Sequence, residues 1–219
     1  MKIDCIADLH GYFPELEGGD LLIIAGDLTA RDLEDEYYDF NIWLCKQEYQ
    51  KKIVIAGNHD GLLHKDSFQY LEGYPAFEYL QDSGCEYNGL QIWGSPWSPL
   101  FHGVNPHCTA FMQSDEALHN KWQMIPEDID ILITHSPAYG TLDGPELMDG
   151  SRYHMGSKSL ANRLRYNGRP QVHVFGHIHE GYGQEEAYPS NNGGMMKSIN
   201  CSYVNKNYEP VNKPIRIIL

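Results

Sequence analysis

Short apolar runs, each stopped by a polar residue, recur along the chain. Ile3 to Ala7 stops at Asp8, Leu21 to Ala25 at Gly26-Asp27, and Ile53 to Ala56 at Gly57-Asn58. Between the second and third runs, Asp32 to Gln50 has an acidic first turn and sets Leu33, Tyr37, Phe40 and Leu44 at helical spacing, which predicts a helix. The second half continues the theme, with Ile129 to Thr134 stopping at His135 and Val172 to Phe175 at Gly176-His177. Asn88-Gly89 lies between the β-prone residues of Glu86 to Trp93, the signal of a two-residue hairpin. Ser114 to Met124 and Ser157 to Asn167 read as helices, with Ser114 as N-cap ahead of Asp115 and Glu116. Pro96, Pro99 and Pro106 mark Gly94 to His107 as a long ordered loop, and β-prone segments follow near Met195 to Val204 and Ile215 to Ile218. Apolar strands alternating with helices predict βαβ units and a parallel sheet, an α/β class. With no internal repeat, low-complexity tract or linker, the expectation is one domain over residues 1–219.

The residues that stop the strands are the chemically informative ones. Five times a metal-ligand type follows directly: Asp8-Leu9-His10, Gly26-Asp27, Gly57-Asn58-His59-Asp60, Thr134-His135-Ser136-Pro137 and Gly176-His177-Ile178-His179. Ligands of open α/β sheets bind beyond the carboxyl ends of the strands, so these groups should converge on one edge. Gly26, Gly57 and Gly176 stand where the backbone must leave a strand tightly beside a charged site. Carboxylate, imidazole and carboxamide together suit borderline divalent ions such as Mn, Fe, Zn or Co, whereas Mg or Ca would want mostly oxygen. Two such ions side by side form a clamp for in-line displacement at phosphorus. The bland alternative is a set of polar residues that only cap strand ends.

Charge narrows the partner. Sixteen Lys and Arg against 30 Asp and Glu give a formal charge of −14, which repels polyanions at long range and leaves no basic track for a nucleic-acid backbone. A metal cluster can still make one small pocket positive, which suits a small phosphate ester. Five cysteines, none in a C-x-x-C pair, read as buried, reduced thiols in a reducing compartment. A cleaved secretory leader is not expected, since it would carry away Asp8 and His10, and no apolar run reaches about 18 residues. The expected location is cytoplasmic, with no membrane partner and a monomeric or homodimeric state.

The ordered set D-x-H, G-D, G-N-H-D, T-H-S-P and G-H-x-H, spread from Asp8 to His179, resembles the calcineurin-like metallophosphoesterase superfamily. Ile92-Trp93-Gly94-Ser95-Pro96-Trp97-Ser98-Pro99, Asp130 to His135 and Val174 to Gly183 resemble its metallophosphoesterase-domain-containing subfamily in particular, whose members are associated with hydrolysis of cyclic nucleotides and other phosphodiesters. The resemblance implies a four-layer αββα sandwich of two mixed sheets. It implies that Asp8, His10 and His179 hold a first metal, that Asn58, His135 and His177 hold a second, and that Asp27 bridges both. Some subfamily members have glycine in place of the first histidine of the last motif; His177 is present here. The cofactor expectation is two divalent ions, with Mn favoured. The implied mechanism is attack on phosphorus by a hydroxide between the metals, Asn58 helping to stabilise the equatorial oxygens. His59 then serves as catalyst outside the metal shell, protonating the leaving oxygen, with Asp60 orienting its ring.

The expected function is hydrolysis of small phosphodiesters, cyclic nucleotides foremost. The alternatives are a phosphomonoesterase or nuclease of the same superfamily, and a non-catalytic binding module that keeps the fold. The remaining features favour ordinary roles. His173 on its strand is expected to be structural and His119 on its helix solvated; Trp97, Phe101, His102 and His107 read first as loop packing, with an aromatic lid over the site as the alternative, and Tyr139 and His154 as rim candidates. Arg163, Arg165 and Arg169 read as helix-end cations on a solvated face, and Tyr37, Tyr38 and Tyr49 as packing residues.

Overall fold

The computed structural model describes the chain apart from residues 67–76, 102–105, 169 and 192. The first three apolar runs become β1 (Lys2–Ile6), β2 (Gly19–Ala25) and β3 (Tyr49–Ile55), paired in parallel with Ile3 opposite Leu21 and Ile23 opposite Ile53. A short β4 (Glu78–Tyr79) extends this sheet beside β3, and β13 (Ile215–Ile218) closes its other edge antiparallel to β1. The second sheet runs in the order β11 (Gly183–Pro189), β12 (Met195–Asn200), β10 (Val172–Phe175), β9 (Ile131–Thr134), β6 (Leu90–Ser95), β5 (Ser83–Tyr87). Its central strands are parallel and its edges antiparallel. The purely parallel sheet read from strand and helix alternation is therefore replaced by two mixed sheets, because hairpins and a returning tail supply the edge strands. β7 (Ser98–Pro99), inside the stretch read as a long ordered loop, pairs with β8 (Met112–Gln113) beyond it in a small separate ladder.

The period of two along the strands sorts side chains into layers. Ile3, Cys5, Leu21, Ile23, Ile53 and Ile55 face Ile131, Ile133, Val172, Val174 and Ile199 between the sheets. The alternate residues Ile6, Leu22, Ile24 and Val54 pack outward with Tyr37, Phe40 and Leu44 of α1 (Glu34–Cys45). Leu132 and Met196 share an outer layer with α3 (Asp115–Trp122) and α4 (Lys158–Tyr166), while a short α2 (Gly61–Asp66) follows the third strand end. The result is the αββα order.

Local differences have local causes. The first helix stops at Cys45, short of Gln50, because Tyr49 onward pairs with β2, and Lys52 Nζ donates to the Leu44 carbonyl at 2.9 Å where the helix frays. The Asn88-Gly89 hairpin forms with both residues at positive φ (51° and 80°), and Ser114 and Ser157 cap α3 and α4. Arg163 is not a solvated cation. It is buried and donates to the carbonyls of Trp122, Ile125 and Pro126, tying α4 to the end of α3; Arg169 lies outside the described residues. Of the five cysteines only Cys5 and Cys201 are buried, and Cys45 is exposed. Among the described residues no helix is long and apolar enough to cross a membrane.

Candidate metal centre

The parallel strands of both sheets end on the same side, and the ends are stitched together. Asp8 N–H donates to the Gly26 carbonyl at 2.9 Å, His10 N–H to the Asp27 carbonyl at 3.0 Å and Gly176 N–H to the His135 carbonyl at 3.0 Å. Asp8, His10, Asp27 and His177 all sit at positive φ, between 43° and 68°. Left-handed backbone is costly for residues with a Cβ and concentrates at functional sites. Gly26 also has positive φ (94°), but Gly57 and Gly176 do not. They are glycines because a Cβ on Gly57 would strike the Asp27 carboxylate, and one on Gly176 the Asp8 carboxylate. A Cβ on Gly26 would meet the Ala56 carbonyl and His135 Nδ1 at 2.6 Å, so the close approach anticipated from sequence is one of space at all three positions.

All seven expected ligands meet. His179 Nε2 is 3.7 Å from Asp8 Oδ1 and 3.4 Å from His10 Nε2; His10 Nε2 is 3.7 Å from Asp27 Oδ2. On the other side His135 Nε2 is 3.4 Å from Asp27 Oδ1 and 3.0 Å from Asn58 Oδ1. Ligand atoms of Asp8, His10 and His179 lie within 4.8 Å of one another, as do those of Asp27, His135 and His177. Asp27 is in contact with both groups, the position a bridging carboxylate requires.

Hydrogen bonds behind the histidines decide which nitrogen faces the centre. His135 Nδ1–H donates to the Ala25 carbonyl at 2.9 Å, and His179 Nδ1–H to the Asn205 carbonyl at 3.1 Å. In its neutral form each ring therefore turns an Nε2 lone pair inward, as ligating histidines held by a carbonyl do. His135 Nε2, Asn58 Oδ1 and Asp27 Oδ1 then form a knot of acceptors that calls for a positive charge. In the bare chain a proton on His135 supplies it: burial alone would lower this imidazole, but the Asp27 carboxylate outweighs burial and lifts it to about 9. Burial likewise would raise the Asp27 carboxyl, yet His135 and His59 hold it well below the usual range. Burial pushes His10 down to about 4 and His177 down to about 3, keeping both rings neutral, and His177 Nε2 is buried with no partner. The neutral imidazoles of His10 and His177, ionised carboxylates and an orphaned buried nitrogen fit divalent cations.

The two residues after Asn58 behave differently from one another. His59 lies in the cluster, with one atom each of His10, Asp27 and His59 within 4.8 Å. Its Nδ1–H donates to the Ala30 carbonyl at 3.1 Å and its backbone N–H to Asp27 Oδ1 at 2.8 Å. Asp60 does not orient that ring. Its carboxylate accepts from the N–H groups of Gly57 (2.8 Å), Leu28 (3.1 Å) and Thr29 (3.1 Å), and the Thr29 hydroxyl lies 3.1 Å from it and 3.0 Å from the His59 carbonyl. It is a buried staple between the β2 and β3 ends, with burial and then Asp27 raising its carboxyl to about 7. Asn58 gives one amide hydrogen to the Cys108 carbonyl at 3.0 Å, leaving the other available.

A cavity of about 710 Å³ opens over the cluster, walled by Phe101, Tyr153, His154, Lys206 and Tyr208. Phe101 stacks on His177 at 5.8 Å and 18°. Trp97 is no lid. It is buried against Phe111, with Nε1–H donating to Asp82 at 2.8 Å and Lys121 over its ring. His102 lies outside the described residues, His107 lines a neighbouring groove, and His154 Nδ1 pairs with Asp143 at 2.7 Å. Tyr208, Lys206 and the Asn205 carbonyl carry no sequence signal, since they belong to a polar tail segment without periodicity.

Comparison with known proteins agrees with the site. Metallophosphoesterase domain-containing protein 1 of Homo sapiens is 38% identical over 241 residues, covering 98% of this chain and 70% of that protein. A UPF0046 protein of Caenorhabditis elegans is 33% identical over 248 residues, covering 98% of this chain and 59% of that protein. Among solved structures, TT1561 of Thermus thermophilus superposes with a TM-score of 0.60 at 13% identity, over 91% of this chain and 88% of that one. Haemophilus influenzae NAD nucleotidase gives 0.50 at 14%, over 91% of this chain and 50% of that one; identities this low bear on the fold alone. The calcineurin-like phosphoesterase model matches residues 1–181, which contain every strand-end ligand, and the chain belongs to that family.

Proposed function

We propose that the chain is a metal-dependent hydrolase of small phosphodiesters, with cyclic nucleotides as the first candidates. The acceptor knot around His135 and Asp27 carries this reading: His135 Nε2 lies 3.0 Å from Asn58 Oδ1 and 3.4 Å from Asp27 Oδ1, an arrangement that makes sense around a cation. Asp8, His10 and His179 would hold one divalent ion, Asn58, His135 and His177 a second, with Asp27 shared. Bound there, the pair would supply an activated water and neutralise phosphoryl charge. The ligand chemistry admits Mn, Fe, Zn or Co, and Mn is the ion to try first.

The chain's own groups account for the rest. His59, fixed through Nδ1, would as an imidazolium give its Nε2 proton to the leaving oxygen and end as the neutral Nδ1–H ring. The second amide hydrogen of Asn58 can donate to a phosphoryl oxygen. The cavity, about 710 Å³, has the size of a nucleotide pocket. The formal charge of −14 disfavours long polyanionic substrates.

The test is metal-free protein reconstituted with Mn, Fe, Zn or Co and offered bis(p-nitrophenyl) phosphate, p-nitrophenyl phosphate and 3′,5′- and 2′,3′-cyclic nucleotides. Diester turnover above monoester turnover, abolished by chelation, is expected. A monoester preference would move the reading to a phosphomonoesterase, and silence with every metal would leave a binding module.

A further inference from the structure

The family match ends at residue 181, yet the chain beyond it returns to the site. Asn205 to Glu209 is a turn organised by its own first side chain. Asn205 Oδ1 accepts from the N–H groups of Asn207 (2.8 Å) and Glu209 (3.1 Å), and Asn205 Nδ2 donates to Glu209 Oε2 at 2.8 Å. The turn is anchored below by Tyr203 N–H on the Ala7 carbonyl and by Asn212 Nδ2 on the Ser202 carbonyl. Its product is a fixed Tyr208 at φ 61°, a conformation unfavourable for an aromatic residue. The ring stands over the cluster, steeply inclined to His10 (centroids 4.9 Å, 72°) and His179 (5.2 Å, 88°) and tilted against His59 (6.2 Å, 54°). It is 39% exposed and shares the cavity with Phe101. Core packing does not need a strained, half-open aromatic ring above a polar cluster. A wall for a planar ligand does.

We propose that Tyr208 is the specificity-determining wall of the site, receiving the planar organic group (aryl or nucleobase) that stays on the phosphorus and not the leaving group, with Phe101 as the second aromatic surface. The inference rests on the phosphoesterase reading and deepens it. It assigns the substrate a planar group beside the reacting phosphorus, and it assigns the tail an active part in selecting it.

The experiment compares p-nitrophenyl phenylphosphonate with p-nitrophenyl methylphosphonate on Mn-loaded full-length protein, since the two substrates differ only in the group Tyr208 would contact. Tyr208→Ala should raise KM for the phenyl substrate about tenfold, a typical loss for one stacking contact. The methyl substrate, kcat and metal content should change less than about twofold on the same principle that only the lost contact is affected. Tyr208→Phe should match the wild type, and Tyr208→Asn, which tolerates the left-handed backbone, should reproduce the Ala result if the Ala variant misfolds. Equal effects on both substrates, no effect, or activity lost in step with metal would overturn the proposal. Calorimetric binding of phenylphosphonate against methylphosphonate separates the two levels. If the wild type binds but never turns over, the hydrolase reading falls while the Tyr208→Ala affinity ratio still decides the wall; if it binds neither, both fall.

Discussion

His59 Nδ1 lies 3.1 Å from the carbonyl oxygen of Ala30, so the ring is set by the main chain after β2 and not by the adjacent Asp60. A donor fixed through the main chain keeps its Nε2 aimed at the cluster whatever happens to neighbouring carboxylates. His59→Ala should lower kcat roughly 10²- to 10³-fold, the usual worth of a positioned proton donor. Bound metal per protein should stay unchanged. Steady-state kinetics beside metal analysis checks this. Loss of one ion in step with activity would make His59 a ligand instead, a role its distance to His10 and Asp27 also permits.

Asp60 should matter for stability and little for chemistry. The N–H groups of Gly57, Leu28 and Thr29 lose their acceptor together in Asp60→Ala, and buried unsatisfied N–H groups cost about 1–3 kcal/mol apiece before relaxation. We expect that variant to be strongly destabilised in urea unfolding. Asp60→Asn keeps one acceptor oxygen and should fall in between. Metal-loaded Asp60→Asn should keep kcat within about threefold, because a carboxylate that orients nothing in the reaction contributes only through the fold.

The buried strands, and the seven residues that the fold brings together at their ends, are legible in the sequence because short apolar runs and their polar stops are local signals. Asp60 is misread for the opposite reason: its partners are main-chain N–H groups, which every residue carries, so no spacing reveals them. Arg163 escapes for the same reason, its acceptors being carbonyls of Trp122, Ile125 and Pro126. Trp97 is aromatic and lies on a Pro-rich loop, but only the fold shows Asp82 beneath its indole. Tyr208 comes from a tail whose turn is built by Asn205 hydrogen bonds and not by hydrophobic pattern. The periodic pattern overruns the boundary of α1 because Lys46 to Gln50 has ordinary helix propensity, and pairing with β2 overrides it.

Metal should stabilise the fold as well as enable catalysis. The acceptor knot at Asp27 is satisfied by a cation that binds the native state, so Tm should rise with metal concentration. Chelation should lower Tm by several degrees and abolish hydrolysis, and both should return on adding Mn. Asp27→Asn should bind at most one ion and lose at least about 10³-fold in kcat, since the clamp at phosphorus needs both. Calorimetric melting with metal analysis reads each effect. A melting curve indifferent to chelator and metal would mean the cluster holds none.

Gly57→Ala tests the close approach of two strand ends. A methyl there meets the Asp27 carboxylate, the Asp27 backbone nitrogen and the His135 ring, none of which is the free end of a flexible chain. The bridging carboxylate would have to move, so metal affinity should fall at least tenfold by loss of ligand geometry, a change of about 1.4 kcal/mol. Gly89→Ala, at an open hairpin position with nothing within 4 Å, is the control and should leave metal affinity unchanged despite its φ of 80°.

His173 should give the protein a pH-dependent stability of definite sign. The Thr134 hydroxyl donates its one hydrogen to the Ser136 carbonyl at 2.6 Å, so at 2.8 Å His173 Nε2–H must be the donor to Thr134 Oγ1. That leaves Nδ1 unprotonated, buried and without a partner. Burial pushes the imidazole down to about 3, against about 6.5 in an unfolded chain. As pH falls below about 6.5 the unfolded chain therefore binds a proton that the native ring refuses. Stability is lost by up to about 1.4 kcal/mol per pH unit, close to 2 kcal/mol by about pH 5. Other histidines add slopes of their own, so the measurement is a difference: urea unfolding of wild type and His173→Gln at pH 7, 6 and 5. The variant should be less stable at pH 7, where the Thr134 bond is lost, and the gap should narrow by about 2 kcal/mol at pH 5. A gap that stays constant with pH would show that His173 titrates alike in both states.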